Sequence, residues 1–443
     1  MTNDLRLRRI FSEHTVKILS APCEHAEMLR RREVFSNADS AEAREKISAC
    51  VSALREYRRT LELWHTASHK LEQYFTFARL VTAYDAVRGA LSDIADLGSI
   101  CAELSEGLAP TPHFPKSENM RHFLLSFSDK VWITPDGEFS DEVDELADCV
   151  KDLGFYIPAK KALDIKPSAS LSDAVCRLNA EDCTVMDTAL EACRGFDFEK
   201  PLEALTMSEF FDEILRFIEK AKSCGVPHCL PSISEKRQYT AREIFDVTLL
   251  AHGDIVPNDV YFTEAEPFFF LTGANGGGKT TYLRAVGLNL VLFLAGCPIF
   301  ARSAVIYPFG EVLTHFPADE RFDDTGRLDE ELCRAERMLA HTDAFLLFNE
   351  TFSGADEARG FSLLMQTAEA IRASGRFGLY VTHFHKVADS DFPRLTTELD
   401  ITDANRRTFR IVRCDKAGFS HAADILKKYR LDRESLEERR KKL

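Results

Sequence analysis

The residues best suited to chemistry form one glycine-rich run, Gly273-Ala274-Asn275-Gly276-Gly277-Gly278-Lys279-Thr280, followed by Thr281. The run fits G-x-x-x-x-G-K-S/T in full and lies between an apolar segment and a long helical pattern, as that motif requires. Glycines let the backbone wrap phosphate groups closely with its N–H groups turned inward, and the start of a helix favours anions. We therefore predict a nucleotide phosphate-binding loop over residues 273–281. Lys279 would contact the β- and γ-phosphates, and the Thr280 hydroxyl would ligate Mg²⁺.

A second pair of polar residues, Asn349 and Glu350, follows the apolar run AFLLF. ATPases with such a loop usually place Asp-Glu here, where the Asp holds the water shell of the metal and the Glu orients the attacking water. Asn349 has a carbonyl oxygen but no charge, so we predict weak Mg²⁺ binding and slow hydrolysis. Glu350 is the candidate water activator. The alternative is that Glu350 is only a surface acid after a buried strand.

A third candidate is His383, which ends the run GLYVTH. A histidine at the end of this strand can contact a γ-phosphate and report its presence. An isolated histidine is more often structural, but its position after the two preceding motifs favours the role of phosphate sensor. We interpret the neighbouring His385 as a bystander.

The elements that must position these residues are those of an α/β domain. FFFLTG, AFLLFN and GLYVTH are short and nearly all apolar, which predicts buried parallel strands. DEARGFSLLMQTAEAIRAS, between the last two, predicts a crossover helix, and TTELDIT with TFRIVRC predicts a closing hairpin. We therefore expect an α/β P-loop NTPase domain over residues 236–443.

The residues before this domain predict an all-α domain over residues 1–235. One helical face repeats every three or four positions, at Ile47, Val51, Leu54, Tyr57 and Leu61. A further amphipathic helix is predicted over residues 207–222. Three prolines at positions 110, 112 and 115 predict a linker or long loop between helices. Residues 120–200 carry no clear pattern.

Composition limits the class of protein. The chain has 443 residues, of which 45% are hydrophobic and 29% are charged, and this excludes disordered, collagen-like and cysteine-stapled proteins. The formal net charge of −15 opposes nonspecific coating of DNA or anionic lipid, so any nucleic-acid contact must be local. Twelve cysteines without a CxxC pair, and a start that is no signal peptide, predict reduced thiols in a cytoplasmic protein. The longest near-apolar stretch, residues 285–301, falls short of the roughly 20 residues of a membrane helix, so we interpret it as a buried helix without a membrane partner.

These motifs together resemble those of the MutS family of DNA mismatch-repair ATPases. LTGANGGGKTTYLRAVGLNLVLFLAGCPIFA resembles the family's nucleotide loop and following helix, in which the matching residues are Asn275, Gly277, Gly278, Thr281 and Tyr282. Four further segments resemble the family in the same order: IVPNDVYF with Asn258 and Asp259, FNETFSGADEARG with Gly354 and Gly360, YVTHFHKV, and GFSHAADIL. The resemblance covers about residues 236–429, and extends more weakly to the helices upstream.

The resemblance implies an ABC-like ATPase domain preceded by a helical core and lever domain. It implies dimers that sandwich ATP and Mg²⁺ between subunits, either as homodimers or as heterodimers, and DNA as a partner. It also identifies the chain as a short form without the family's mismatch-reading and connector domains. Phe11-Ser-Glu13 fits the family's Phe-x-Glu wedge, but no α/β domain surrounds it and we interpret the match as chance. Gly326 and Arg327 lie where the family has a serine-containing signature that reaches the partner's nucleotide.

Two functions from different classes follow as expectations. The first is a slowly hydrolysing, MutS-related ATPase that acts on DNA repair or recombination structures as an ATP-gated dimeric clamp. The alternative is a nucleotide-dependent protein-interaction switch without strong DNA or mismatch binding, which the net acidity favours. A P-loop kinase or a transport-type ATPase is a third interpretation. The asparagine in the loop and Thr382-His383 argue against a kinase, and the absence of membrane-facing features argues against transport.

Overall fold

A computed structural model of the chain describes residues 1–108, 177, 180–253, 255–317, 324–352, 355–399 and 407–414. The chain divides into two compact units, one formed by Met1–Ser36 with Glu213–Leu443 and the other by Asn37–Asp212. The predicted proline-rich linker, the segment GFSHAADIL and the charged carboxyl end lie outside the described residues. Most of residues 120–200, which the sequence leaves unassigned, lies outside them as well.

Helices dominate the first half of the described chain. They are α1 (Glu13–Ser20), α2 (His25–Asn37), α3 (Ala41–Thr66), α4 (Lys70–Ile94), α5 (Ser99–Glu106), α6 (Ala180–Ala192) and α7 (Glu203–Ser223). Three more follow within the α/β part, namely α8 (Lys279–Leu294), α9 (Asp324–Ala340) and α10 (Glu357–Ala373). The helical character predicted for the first hundred residues is confirmed, and α7 extends beyond both ends of the helix predicted over residues 207–222.

The unit Asn37–Asp212 is helical in its described residues, and α3 shows why. Its N-cap Ser40 accepts a hydrogen bond from the Ala43 N–H at 3.0 Å, which satisfies one of the free donors of the first turn. The predicted apolar face is buried, with Leu54 and Tyr57 fully inaccessible. The Tyr57 hydroxyl donates to the Phe198 carbonyl at 2.8 Å, so the buried phenol keeps a partner.

The strands form two sheets. They are β1 (Ser232–Ile233), β2 (Tyr239–Ile244), β3 (Asn258–Phe262), β4 (Phe268–Thr272), β5 (Ser303–Ile306), β6 (Glu311–His315), β7 (Ala344–Asn349), β8 (Phe377–Val381), β9 (Arg394–Leu399) and β10 (Arg407–Arg413). The four-stranded sheet has the order β1-β5-β2-β3 and the six-stranded sheet the order β10-β9-β4-β8-β7-β6. From β9 to β6 the larger sheet is parallel, and β10 pairs antiparallel with β9.

The three predicted parallel strands are confirmed as β4, β7 and β8. Every residue of β7 and β8 is buried, which explains why their sequences are apolar throughout rather than alternating. The predicted crossover helix is α10, which begins at the N-cap Asp356, and the predicted hairpin is the pair β9 and β10. Mixed α/β sheets preceded by a helical region are thus the observed fold class.

The apolar stretch 285–301, predicted as one buried helix, is helical only as far as Leu294, where α8 ends, and residues 295–301 are buried but not helical. Up to Phe293, α8 is buried on nearly every face. Gly287 on this helix leaves room for Leu5, because a Cβ there would stand 2.5 Å from a Leu347 methyl and 2.7 Å from a Leu5 methyl. Among the residues that the structure describes, no helix is long and apolar enough to cross a bilayer.

The amino-terminal residues pack against the α/β part of their unit. Phe11 is 5% exposed and its ring meets that of Phe217 edge-on at 5.2 Å, which gives it a place in the core. The Asp4 carboxylate accepts from the Thr314 hydroxyl at 2.7 Å and pairs with Arg334 at 3.0 Å. Phe11, the first residue of Phe11-Ser-Glu13, is therefore a core residue of this unit.

His315, the last residue of β6, makes one part of this fold sensitive to pH. Its ring is 1% exposed, and its Nε2 donates to the Glu331 carbonyl 2.9 Å away. Burial lowers the pKa of His315 below its ordinary value of 6.5, because the interior disfavours the imidazolium. The unfolded chain therefore binds more protons than the folded chain below about pH 6.5. The folded state therefore has its full stability above that pH, where His315 is neutral in both states, and loses part of it as the pH falls.

We expect the free energy of unfolding to decrease between pH 7.5 and 5.5 through this one residue, because only the unfolded chain takes up the proton readily. His315→Gln keeps a donor near the position of Nε2 but does not titrate, so its unfolding should depend less on pH. Urea unfolding followed by circular dichroism at both pH values measures the difference. Equal pH dependence in both proteins would contradict the assignment to His315.

Candidate nucleotide-binding site

The predicted site residues follow three adjacent parallel strands at one edge of the larger sheet. Leu271 of β4 pairs with Val381 of β8, and Val381 pairs with Asn349 of β7, so the three residues form one row across the sheet. The glycine loop, His383 and Glu350 all begin one or two residues beyond this row. The structure therefore brings together the three groups that the sequence singled out. Ligands of parallel α/β sheets bind at this carboxyl edge.

The glycine loop joins β4 to α8 and owes its shape to its glycines. Gly273, Gly276 and Gly278 have φ angles of 126°, 71° and 93°, a region that side chains rarely adopt. A Cβ on Gly273 would lie 2.3 Å from the Thr397 hydroxyl oxygen, and one on Gly277 would lie 2.8 Å from the Thr397 methyl. Thr397 of β9 thus packs under the loop, a contact that no pattern in the sequence indicates.

Gly277→Ala tests this close packing. The added Cβ would also lie 2.9 Å from the Ala274 carbonyl oxygen. Because this oxygen belongs to the backbone, it can move away only if the loop changes its conformation. We expect the affinity for ATP to fall at least tenfold, or about 1.4 kcal/mol, measured by fluorescent-nucleotide titration. Gly89→Ala, where a Cβ would meet nothing within 4 Å, is the control and should bind as the parent does. Unchanged affinity in Gly277→Ala would contradict a rigid loop.

Lys279, the first residue of α8, folds its side chain over the loop. It is 5% exposed, and its ammonium donates to the carbonyl oxygens of Gly273 at 2.8 Å and Ala274 at 3.2 Å. The Asn275 side-chain oxygen lies 3.4 Å away. Burial lowers the pKa of Lys279, while the Glu350 carboxylate raises it and the Arg407 guanidinium lowers it further. The lysine charge is therefore held at the mouth of the loop, close to Glu350.

Thr280 and Asn349 are in direct contact. The Thr280 hydroxyl donates to the Asn349 side-chain oxygen at 3.1 Å, so a loop residue is tied to the end of β7. The hydroxyl oxygen keeps its lone pairs, and the asparagine supplies a second oxygen beside it. Hard oxygen donors of this kind suit Mg²⁺, which is usually held by one or two protein groups together with waters and phosphate oxygens. Asn349 is 8% exposed and contributes no charge.

Glu350 has an unusual backbone. Its φ is 50°, and its N–H donates to the Val381 carbonyl at 2.8 Å, which fixes the residue beside β8. Its side chain is only partly buried. Glu350 therefore stands directly after the buried strand β7, at the carboxyl edge of the sheet.

His383 lies at the same edge on an ordered turn. Its imidazole is exposed, and the ring centroid lies 4.5 Å from that of Phe384. Thr382, which is 1% exposed, fixes this turn because its hydroxyl accepts from the Phe384 N–H at 3.1 Å. His385 begins a short 3-10 helix and is exposed as well.

A cleft of about 180 Å³ opens beside Gly278 and Thr281. Its apolar wall consists of Leu249, Ile255, Val256, Tyr282 and Phe409. Asn258 fixes Phe409, since its amide donates to the Phe409 carbonyl at 3.1 Å and accepts from the Ile411 N–H at 2.6 Å. The Tyr282 hydroxyl donates to the Asp259 carbonyl at 2.8 Å.

Phe409 is a residue that sequence reasoning missed. Its φ of 56° places it in an irregularity of the β9–β10 pairing, between Arg407 and Ile411. A phenylalanine within an ordinary strand pattern carries no signal for such a position. Gly354 lies outside the described residues, whereas Gly326 and Arg327 lie on α9.

Comparison with known proteins agrees with this geometry. Residues 269–412 match the model of MutS domain V. The chain is 30% identical over 265 residues to the DNA mismatch repair protein MutS of Geobacillus sp. (strain WCH70), covering 53% of this chain and 31% of that protein. It is 31% identical over 147 residues to the protein of the same name from Geobacillus kaustophilus, covering 32% of this chain and 16% of that one.

A third relative, the DNA mismatch repair protein MutS of Bacillus velezensis, is 24% identical over 208 residues, covering 43% of this chain and 24% of the relative. The chain thus spans less than a third of the length of the curated relatives that it matches. The matched domain V contains the glycine loop, Asn349, Glu350 and His383 in one continuous segment. The part of the chain that carries these residues is therefore similar to domain V of the MutS family.

Proposed function

We propose that this chain is a MutS-related ATPase that binds ATP with Mg²⁺ and acts on DNA as an ATP-gated dimeric clamp. The observation that carries the proposal is the 3.1 Å contact between Thr280, in the glycine loop, and Asn349, at the end of β7. This contact supports the proposal because it joins the proposed phosphate-binding loop to the proposed metal-binding position at the edge of one sheet. A domain V match and MutS-named relatives support the same family of activities.

In the P-loop NTPase fold that we propose, each part of the nucleotide would have its own binding residues. We assign residues 273–281 to the phosphates, because the loop N–H groups and the first turn of α8 provide donors that lack helical partners. Lys279 would exchange its bonds to the Gly273 and Ala274 carbonyls for bonds to the β- and γ-phosphates. The apolar cleft beside Thr281 would take the base against Phe409.

Thr280 and Asn349 are the residues that would hold Mg²⁺. The metal, when bound, would neutralise charge on the phosphates. Thr280 would ligate through its hydroxyl oxygen, and Asn349 would accept a hydrogen bond from that hydroxyl or from a metal-bound water. A charge at position 349 would add attraction that the amide lacks, so we propose slow turnover.

Asn349→Asp should therefore raise the rate of ATP hydrolysis at least about fivefold at low Mg²⁺ and lower the Mg²⁺ concentration needed for half-maximal activity. A phosphate-release assay across a Mg²⁺ series measures both quantities. Asn349→Ala, which also loses the acceptor for Thr280, is the matched control and should fall below the parent. No change, or a lower rate in the aspartate variant, would mean that the metal is held another way.

Glu350 and His383 complete the proposed reaction. The Glu350 carboxylate would orient a water and accept its proton, acting as a general base. His383, exposed at the same edge, would donate to the γ-phosphate and distinguish ATP from ADP. Differential contact with that phosphate is what would couple nucleotide state to shape.

We propose that the two parts of the chain differ in function. Residues 236–443 would be the ATPase part and residues 1–235 the helical core and lever part, although Met1–Ser36 packs with the former. Two copies of the chain would close on ATP, as a homodimer, and the levers would carry that closure to bound DNA.

A DNA-binding panel with a salt series tests the DNA assignment. Fluorescence anisotropy of linear, mismatched and branched duplexes, with Mg²⁺ and ATP or ADP, should show tighter binding with ATP and a steep loss of affinity between 50 and 200 mM salt. Weak, salt-insensitive binding to all of these DNAs would favour the alternative of a nucleotide-dependent protein-interaction switch. The net charge of −15 is the observation that supports this alternative.

A further inference from the structure

The turn that carries Glu350 is strained at two places. Glu350 has a φ of 50° and Phe352 a φ of 62°, and neither is a glycine. Bulky residues held in this left-handed region cost about 1–3 kcal/mol each, and persist only where their surroundings fix them. The groups that fix this turn therefore decide where the Glu350 carboxylate points.

Three contacts fix the turn, two from β8 and one from α9. The Glu350 N–H bonds to the Val381 carbonyl of β8, and the buried Thr351 hydroxyl bonds to the Tyr380 hydroxyl. The third contact is made by a carboxylate on α9, because the Phe352 N–H donates to the Glu331 Oε2 at 2.7 Å. This contact holds Phe352, which has the larger positive φ angle of the two residues.

Glu331 is an unusual residue for this place. It is 7% exposed, although it carries a charge, and a buried carboxylate is expensive unless hydrogen bonds satisfy it. Its own carbonyl accepts from His315, so the same residue ties α9 to β6 and to the turn after β7. One turn further along α9, Arg334 donates to the Thr314 carbonyl at 2.8 Å. The position of α9 is thus linked to the backbone of the turn through one side chain.

We propose that Glu331 is a positioning residue for ATP hydrolysis: through the Phe352 N–H it holds the turn in which Glu350 can act, and it transmits displacement of α9 to that turn. The inference rests on the proposed function. It adds to that function that α9, a helix outside the glycine loop, influences the rate of ATP hydrolysis. Because Glu331 contacts the turn and not the loop, its loss should change the rate of hydrolysis and leave nucleotide affinity intact.

Two neutral substitutions of similar length separate this role from a general effect on stability. Glu331→Gln keeps an oxygen that can accept from the Phe352 N–H, whereas Glu331→Met keeps the length and has no acceptor. We expect Glu331→Met to lower kcat at least about tenfold with KM within about twofold, since small misplacements of a catalytic group cost one to two orders of magnitude. Glu331→Gln should retain kcat within about threefold. Glu330→Ala, at an exposed neighbouring position on α9, should behave as the parent.

Amide hydrogen exchange gives a second readout that needs no nucleotide. The Phe352 amide should exchange faster in Glu331→Met than in the parent, and Glu331→Gln should restore its protection. In the background Glu350→Gln, Glu331→Met should cause little further loss of rate, because the group that it positions is already disabled.

Equal kcat in the Gln and Met variants, a KM that rises with unchanged kcat, or unchanged exchange at Phe352 would each overturn the inference. So would a parent that binds ATP but hydrolyses none, even with Asn349→Asp. Failure of the parent to bind ATP at all would instead contradict the proposed function. The exchange comparison would then still decide whether Glu331 holds the turn.

Discussion

Lys279→Ala should reduce the affinity for ATP at least about 100-fold, which is the largest effect expected from any single substitution in this chain. The ammonium is a positive charge that both the sequence and the fold place at the glycine loop, and charge-assisted bonds to phosphate are about twice as strong as neutral ones. The desolvation that lowers the pKa of Lys279 also makes its charge less screened by water.

Isothermal titration of parent and variant with Mg²⁺ and ATP measures this loss. Lys386→Ala is the matched control, since Lys386 is exposed and pairs only loosely with Glu357, at 3.6 Å, on the same side of the domain. The control should bind as the parent does. Affinity in Lys279→Ala within threefold of the parent, with an unchanged circular dichroism spectrum, would remove the phosphate-binding assignment.

Glu350→Gln should lower the rate of ATP hydrolysis by about two orders of magnitude while ATP still binds. The amide has the size of the carboxylate but cannot accept a proton from water, and general-base groups contribute about 10²- to 10⁴-fold. Because the phosphates are held by the loop, affinity should stay within about threefold. Glu357→Gln makes the same carboxylate-to-amide change at an exposed position at the start of α10, and it therefore serves as the control.

Single-turnover hydrolysis at saturating ATP separates the chemical step from binding in these variants. If the parent turns over too slowly to measure, the comparison can be made in the Asn349→Asp background. A rate unaffected by Glu350→Gln would mean that Glu350 is a surface acid, the alternative that the sequence alone left open.

The strands and loop of the site were predictable because each carries a local signal. β4, β7 and β8 are buried on both faces, so their sequences are apolar without interruption, and the glycine loop is specified by residue type at fixed spacing. The closing hairpin was predictable for a similar reason, since two β-rich runs flank a short polar turn. Short β-strands with mixed burial, such as β5 with its alternating Ser303–Ile306, gave no comparable signal, and the four-stranded sheet was missed.

What the sequence could not show are contacts between distant segments. The packing of Thr397 under Gly273, the hold of Asn258 on Phe409, and the bond from Phe352 to Glu331 each join residues far apart in the chain. Left-handed backbone at a phenylalanine is set by such contacts and has no signature in composition. The packing of Met1–Ser36 with the α/β part likewise depends on buried side chains, such as Leu5 and Leu7, that resemble any other apolar residues.

Sedimentation velocity with and without ATP and Mg²⁺ tests whether nucleotide held by the glycine loop brings two copies of the chain together. We expect the parent, with a chain mass of 50.0 kDa, to shift to twice that mass when Mg²⁺ and ATP are added, and Lys279→Ala to show no shift. A parent whose mass is the same with and without nucleotide would rule out nucleotide-driven dimerisation.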